Sequence, residues 1–212
     1  MNISSSKEII LKKIRKALSH PAPIPFAGTE GNASVFMPPY DDLAVQFAEA
    51  FSTLEGKFLF CDNEKSAAQK IMEIASVNQW NKLYCKEQHL QSIIHLEFPQ
   101  FHFFDTLAHC DAAITGCELL VSRTGTIVLS AAQTEGRTAS VYAPVHICIA
   151  STKQLVHDLK DAFQKLKDKY GTSLPSSISF ATGPSRTADI EKTLVVGVHG
   201  PGQVYVILVD EV

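Results

Sequence analysis

From about residue 40 onward, apolar positions fall at helical spacing in some stretches and in short unbroken runs in others. Asp41 and Asp42 open a stretch in which Leu43, Phe47, Ala50, Phe51 and Leu54 share one helical face, and Gly56 ends it. Phe58-Leu59-Phe60-Cys61 then reads as a buried strand. Asn63 caps a second helix carrying Ala67, Ile71 and Ile74; Lys82-Leu83-Tyr84-Cys85 follows as a strand, and a third helix covers 88–96. A short apolar run at 101–104 comes next. The second half is richer in strands, expected at 112–114, 126–130, 146–150, 178–180, 194–198 and 204–209. One helix is expected between them, at 153–167, with Leu155, Leu159, Phe163 and Leu166 in phase.

This order of strand and helix predicts an α/β three-layer sandwich around a mostly parallel central sheet. The short connections after Gly125 and Gly202 suit antiparallel neighbours, which makes the expected sheet mixed. At the front, Ser5-Ser6-Lys7-Glu8 fits a capping box, and Ile10, Ile14, Ala17 and Leu18 fall on one face of an N-terminal amphipathic helix. Pro21, Pro23 and Pro25 must stop that helix and continue as a stiff linker. Residues 1–25 are therefore expected to form a helical arm, and 26–212 a single domain. The arm either folds onto its own domain, docks on a partner or lies on a membrane surface.

Charge sharpens this division. The first twenty residues carry five basic side chains against Glu8, so +4, which leaves −7 on the rest of a chain whose net charge is −3. An overall acidic chain with one basic helix face argues against nucleic-acid binding. Apolar runs as short as 204–209 fall far below the ~18 residues that span a bilayer, and the N-terminus lacks a signal-peptide pattern, so a cytoplasmic protein is expected. Five cysteines, none in a CxxC pair, argue against a disulfide framework and against a cysteine-ligated cluster in this chain. A His/Cys pair two apart at His146 and Cys148 lacks neighbouring ligands, so a satisfied core histidine is the better reading. GxGxxG, GxxxxGK[ST], HExxH and GxSxG are all missing.

Arginine placement is the informative chemical feature. The chain has 15 lysines and four arginines, and three of the arginines sit beside glycine turns. Candidate ligand-binding residues are therefore Arg123 with Thr124, Gly125 and Thr126; Arg137; and Ser185 with Arg186 and Thr187. A guanidinium fork can grip a carboxylate or phosphate bidentately; it can equally tie a loop to a carbonyl or to an acid such as Asp111, Glu118 or Asp189. Ser185 or Thr187 is expected to cap a short helix running toward Glu191, which would offer an anion its N-terminal amides. His199, set in a glycine turn, is the candidate proton-handling residue.

At these residues the chain resembles the LUD domain family. The resemblance is carried by residues 111–118, 124–129, 136–137 and 144–147, by Gly183-Pro184-Ser185-Arg186-Thr187-Ala188-Asp189-Ile190-Glu191, and by Val196-Gly197-Val198-His199-Gly200-Pro201. It covers about 40–212. It implies a fold like that of the sugar-phosphate isomerase and CoA-transferase superfamily. It also implies a part in oxidising L-lactate to pyruvate beside iron–sulfur partner proteins, which would bring the clusters, with no cofactor in this chain. Many members of the family carry a glutamate immediately before the Thr-Gly-Thr element, where this chain has Arg123. Two functions stand at this point: a non-redox component of a lactate-oxidising system that binds a small anionic metabolite, or a stand-alone sugar-phosphate or CoA-type ligand-binding enzyme or sensor. Either leaves a homo-oligomer open.

Overall fold

A computed structural model describes residues 5–19, 42–135, 138–188 and 194–210. The chain divides into two units, residues 1–37 and 38–212. In the first, helix α1 (Ser5–Leu18) has Glu8 in its opening turn and Arg15 and Lys16 in its last, the arrangement its dipole favours. Ser5 is its first residue rather than its cap, and the proline linker lies outside the described residues.

The second unit opens with α2 (Leu43–Thr53), whose first amides at Ala44 and Val45 are taken by the Asp42 carboxylate at 2.8 and 3.3 Å. Strand β1 (Lys57–Cys61) follows, then α3 (Glu64–Val77), capped by Asn63 on the Ser66 amide, and β2 (Leu83–Tyr84). Helix α4 (Gln88–Glu97) leads to β3 (Ala112–Thr115), and β4 (Leu119–Val121) turns through Gly125 into β5 (Thr126–Ser130). The rest of the unit is α5 (Ala139–Tyr142), β6 (Val145–Ser151), β7 (Leu155–Val156), α6 (Leu159–Tyr170), β8 (Ile178–Ala181), β9 (Arg186–Ala188), β10 (Leu194–Val196) and β11 (Gln203–Val209).

The central sheet has the order β1-β11-β6-β3-β2 with every pairing parallel. Its strands are covered on both faces, which is why they read as unbroken apolar runs. On one face α3 and α4 bring Ile71, Ile93 and Ile94 against Ile147, Ile149 and Ile207. On the other, Phe47 and Phe51 of α2 and Leu120, Ile127 and Leu129 of a second sheet meet Cys148, Val206 and Leu208. That second sheet, β7-β4-β5-β8, pairs β5 antiparallel to both β4 and β8, and α6 covers its outer face through Ala162 and Leu166. The α/β architecture with a mostly parallel central sheet is thus present, and the antiparallel pairings lie outside that sheet, in β7-β4-β5-β8 and in a two-stranded ribbon of β9 and β10.

Three local expectations change. The helix expected at 153–167 starts at Leu159. Ser151 and Gln154 close a capping box around a single tight turn, Leu155 enters β7, and Asp158 with Asp161 caps the helix afresh. The spacing of Leu155 and Leu159 fitted a helix only by coincidence. The residues after Ser185 form strand β9, paired antiparallel with β10, and not a helix start. Finally, the Gly202 connection does not set β10 beside β11, which lies between β1 and β6.

Candidate functional site

At the amino ends of β6 and β11 a cavity of about 260 Å³ opens, lined by Ser140, His146, Thr182, Ser185, His199 and Gly200 among others. The segments that build it come from three regions far apart in sequence, 140–146, 181–185 and 199–204. Backbone bonds lock them together: Ser185 N–H donates to Pro201 O, Gly197 N–H to Ser185 O, and Gly202 N–H to Pro144 O, each at 2.9 Å. Gly200 must be glycine for this contact, because a Cβ there would stand 2.8 Å from Ser185 Cβ. Behind Thr182 a row of hydroxyls continues, Thr182 to Thr126 at 2.9 Å and Thr126 to Thr124 at 2.7 Å.

His146 supplies the chemistry at the cavity's inner end. It is 1% exposed, and burial pushes its imidazole down to about 4, so the ring is neutral across the physiological range. Its Nε2 lies 2.8 Å from the Thr115 hydroxyl, and that hydroxyl donates its one proton to Gly116 O at 2.9 Å. With that proton on Gly116 O, Nε2 is the ring nitrogen that carries the hydrogen, and Nδ1 is the acceptor of a ring that lines the cavity. Sequence reasoning favoured His199 and read His146 as a satisfied core residue; the structure makes His146 both core and cavity lining.

The other predicted residues separate. Arg123 holds Asp158 bidentately at 2.7 and 3.0 Å, which anchors the cap of α6. Arg186 donates to Leu54 O at 2.8 Å and pairs with Glu55 at 3.5 Å, tying its loop to the end of α2. Both guanidinium groups are thus engaged by the protein, and neither lines the cavity around His146. The acids named beforehand have other partners: Asp111 accepts from the Asn81 and Lys82 amides, and Glu118 from Ser130, Lys169 and Tyr170. Burial pushes the Glu118 carboxyl up, but those three donors outweigh it and leave it below its ordinary range. Gly125 packs against α2, and Thr187 lies in the β9–β10 ribbon opposite Val195. Arg137 and Asp189 lie outside the described residues.

A second cleft, about 180 Å³, sits at the carboxyl ends of the parallel strands, where open α/β sheets commonly bind ligands. Glu87, Gly116, Cys117, Gln133, Ser151 and Gln154 line it. Burial pushes the Glu87 carboxyl up, against the opposing pull of the Gly116 N–H, which donates to Glu87 Oε1 at 2.9 Å. Sequence reasoning expected a cleft at this edge but built it from the Ser185 loop, which lines the other cavity; only the strand order brings 87, 116 and 151 here. Among the described residues no group of three or more His, Cys, Asp or Glu is placed to hold a metal ion, and no helix is long and apolar enough to cross a membrane.

The chain is similar to several known proteins. An uncharacterized protein of Neisseria meningitidis is 33% identical over 99 residues, 47% of this chain and 42% of that protein. Lactate utilization protein C of Oceanobacillus iheyensis is 37% identical over 102 residues, 47% of this chain and 44% of that protein. The matched stretch is less than half the length of these curated relatives. The crystal structure of a DUF162 family protein from Deinococcus radiodurans has the same fold, with a TM-score of 0.54 at 20% identity over 79% of this chain and 96% of that one. The LUD domain model matches residues 44–209, from the first turn of α2 to the end of β11, and the chain accordingly belongs to the LUD domain family.

Proposed function

We propose that this chain is a non-redox component of an L-lactate-to-pyruvate oxidising system and that it binds the small hydroxy acid in the cavity around His146. The observation that carries the reading is a buried, neutral imidazole that lines that cavity with its Nε2 against Thr115, and we take its Nδ1 as the acceptor for the ligand. A 2-hydroxy acid offers an O–H donor to such a nitrogen, while the hydroxyls of Ser140, Thr182 and Ser185 are donors suited to its carboxylate. At about 260 Å³ the cavity is smaller than a drug-sized ligand site, which suits a small metabolite. Relatives named lactate utilization protein C support the same substrate class.

Oxidising a hydroxy acid releases two electrons, and amino-acid side chains alone do not accept a hydride. The five cysteines of the sequence are dispersed, and each is a buried free thiol, so we assign the electron acceptors to iron–sulfur partner proteins. The alternative, a sugar-phosphate or CoA-type ligand, would use Arg123, Arg137 and the Ser185 loop; of these, Arg123 is held bidentately by Asp158, which favours the smaller acid.

Calorimetric titration of the purified chain with L-lactate, pyruvate and inorganic phosphate tests the proposal. L-lactate should bind, and Ser185→Ala and His146→Phe should each weaken it by about tenfold, the loss of one good hydrogen bond to a charged or buried partner. Phosphate binding in place of lactate, or lactate binding untouched by both substitutions, overturns it.

A further inference from the structure

The two clefts are joined by an unbroken set of contacts. His146 Nε2 lies 2.8 Å from Thr115 Oγ1, Thr115 Oγ1 lies 2.9 Å from Gly116 O, which can only accept, and Gly116 N–H donates to Glu87 Oε1 at 2.9 Å. Each link has a directional consequence. A hydroxyl has one proton, so the Thr115 side chain can serve the Gly116 carbonyl or the imidazole but not both. Its choice decides which ring nitrogen of His146 is protonated.

We infer that Glu87 is a positioning residue for His146, holding the imidazole in the tautomer that presents Nδ1 as an acceptor to the cavity. This rests on the proposed reading of that cavity as the hydroxy-acid site. The N–H and C=O of Gly116 lie in adjacent peptide planes joined at a glycine Cα that turns freely, so anchoring the N–H removes one of the two rotations by which the carbonyl could leave Thr115. Glu87 is suited to hold it. Its backbone is the cap of α4, and its carbonyl accepts from the Gln91 amide at 3.0 Å and from the Cys85 thiol at 3.7 Å. Glycine at 116 also makes the contact possible, since a Cβ there would stand 3.0 Å from Glu87 Oε2.

Without the Glu87 anchor the Gly116 carbonyl can turn away. The Thr115 proton then swings to Nε2, and the ring must carry its hydrogen on Nδ1, facing the cavity. A donor at that position suits the carbonyl oxygen of a 2-oxo acid; an acceptor suits the hydroxyl of a 2-hydroxy acid. Glu87 thus acts on specificity from the opposite cleft, without touching the ligand.

The experiment uses the full chain with ¹⁵N-labelled histidine. The ring ¹⁵N shifts of His146 report its tautomer directly, and lactate and pyruvate affinities are measured in parallel. Wild type should show the Nε2–H form, and Glu87→Ala should move it toward the Nδ1–H form. The preference for lactate over pyruvate should fall by about tenfold, as an acceptor facing the hydroxyl is replaced by a donor. Glu87→Gln, whose amide oxygen still accepts from Gly116, should restore the wild-type shifts. Gly116→Ala, which displaces the same carboxylate, gives a second perturbation and should resemble Glu87→Ala. Unchanged His146 shifts in both Glu87→Ala and Gly116→Ala overturn the inference. If the shifts move but neither acid binds wild type, the positioning role stands and the hydroxy-acid reading falls.

Discussion

His146 shows how one position can carry both structure and chemistry. Its ring is held neutral because burial leaves a charged imidazole without solvent. The unfolded chain takes up a proton at this residue below about 6.5, and the folded chain does so only near 4. The unfolded state therefore binds more protons across that interval, and the residue's contribution to stability, complete above pH 6.5, is lost progressively as pH falls to 4. With 1.36 kcal/mol per pKa unit, the loss is on the order of 3 kcal/mol. Urea denaturation of wild type and His146→Phe at pH 7 and pH 4.5 checks this: the variant should lose less stability on acidification, and an equal loss in both would refute it. The arginines teach the complementary lesson at this scale. Their scarcity and their place beside glycine turns correctly marked fixed geometry, but the partners of Arg123 and Arg186 are Asp158 and the end of α2.

At the level of elements, the C-terminal end of α2 organises the motif segments. Gly125, at φ +58°, and Gly183, at φ +78°, both press backbone against it: a Cβ at 125 would lie 2.6 Å from Phe51 N, and one at 183 would lie 2.9 Å from Leu54 O. Each position combines a left-handed backbone with a close approach to main chain that cannot swing aside. Gly125→Ala and Gly183→Ala should each destabilise by about 2–4 kcal/mol, roughly 1–2 from conformation and the rest from overpacking. Gly171, at φ +57° with nothing within 4 Å of its would-be Cβ, is the internal control, and its alanine variant should cost only the first part. Chemical denaturation ranks the three, and a Gly125→Ala no worse than Gly171→Ala would remove the packing argument. Elements with local signals were legible: the Asp42 and Asn63 caps and the apolar faces of α2 and α3 read directly from the chain. The start of α6 was not, because Leu155 and Leu159 kept helical phase across a strand and a new cap.

For the whole molecule, the division into residues 1–37 and 38–212 places the basic helix and the motifs of the LUD domain family in different units. The opposite charge balance of the first twenty residues, +4 against −7, also sets them apart from the rest of the chain. Removing residues 1–25 should leave a cooperatively folding domain whose melting temperature stays close to that of the full chain. An insoluble or non-cooperative product would show that Ile10, Ile14 and Leu18 belong to the main core. The two sheets set the functional geography: one cleft opens at the amino ends of the central strands and the other at their carboxyl ends.

The sequence alone determined what depends on neighbours within a few residues. Helix caps, buried strands, the alternation that makes a parallel α/β sheet, and the motifs of the LUD domain family are all local text. Tertiary structure decided everything that depends on strand order. It gathered β4, β5, β7 and β8 into their own sheet, gave Arg123 and Arg186 their partners, and set Glu87 beside Gly116. It also turned His146 from an apparent core residue into the inner wall of a cavity. The reason is physical: a hydrogen bond between residues 29 or 31 apart, such as Gly116 to Glu87 or Thr115 to His146, leaves no periodicity in the chain, and only the folded sheet brings its two ends within 3 Å.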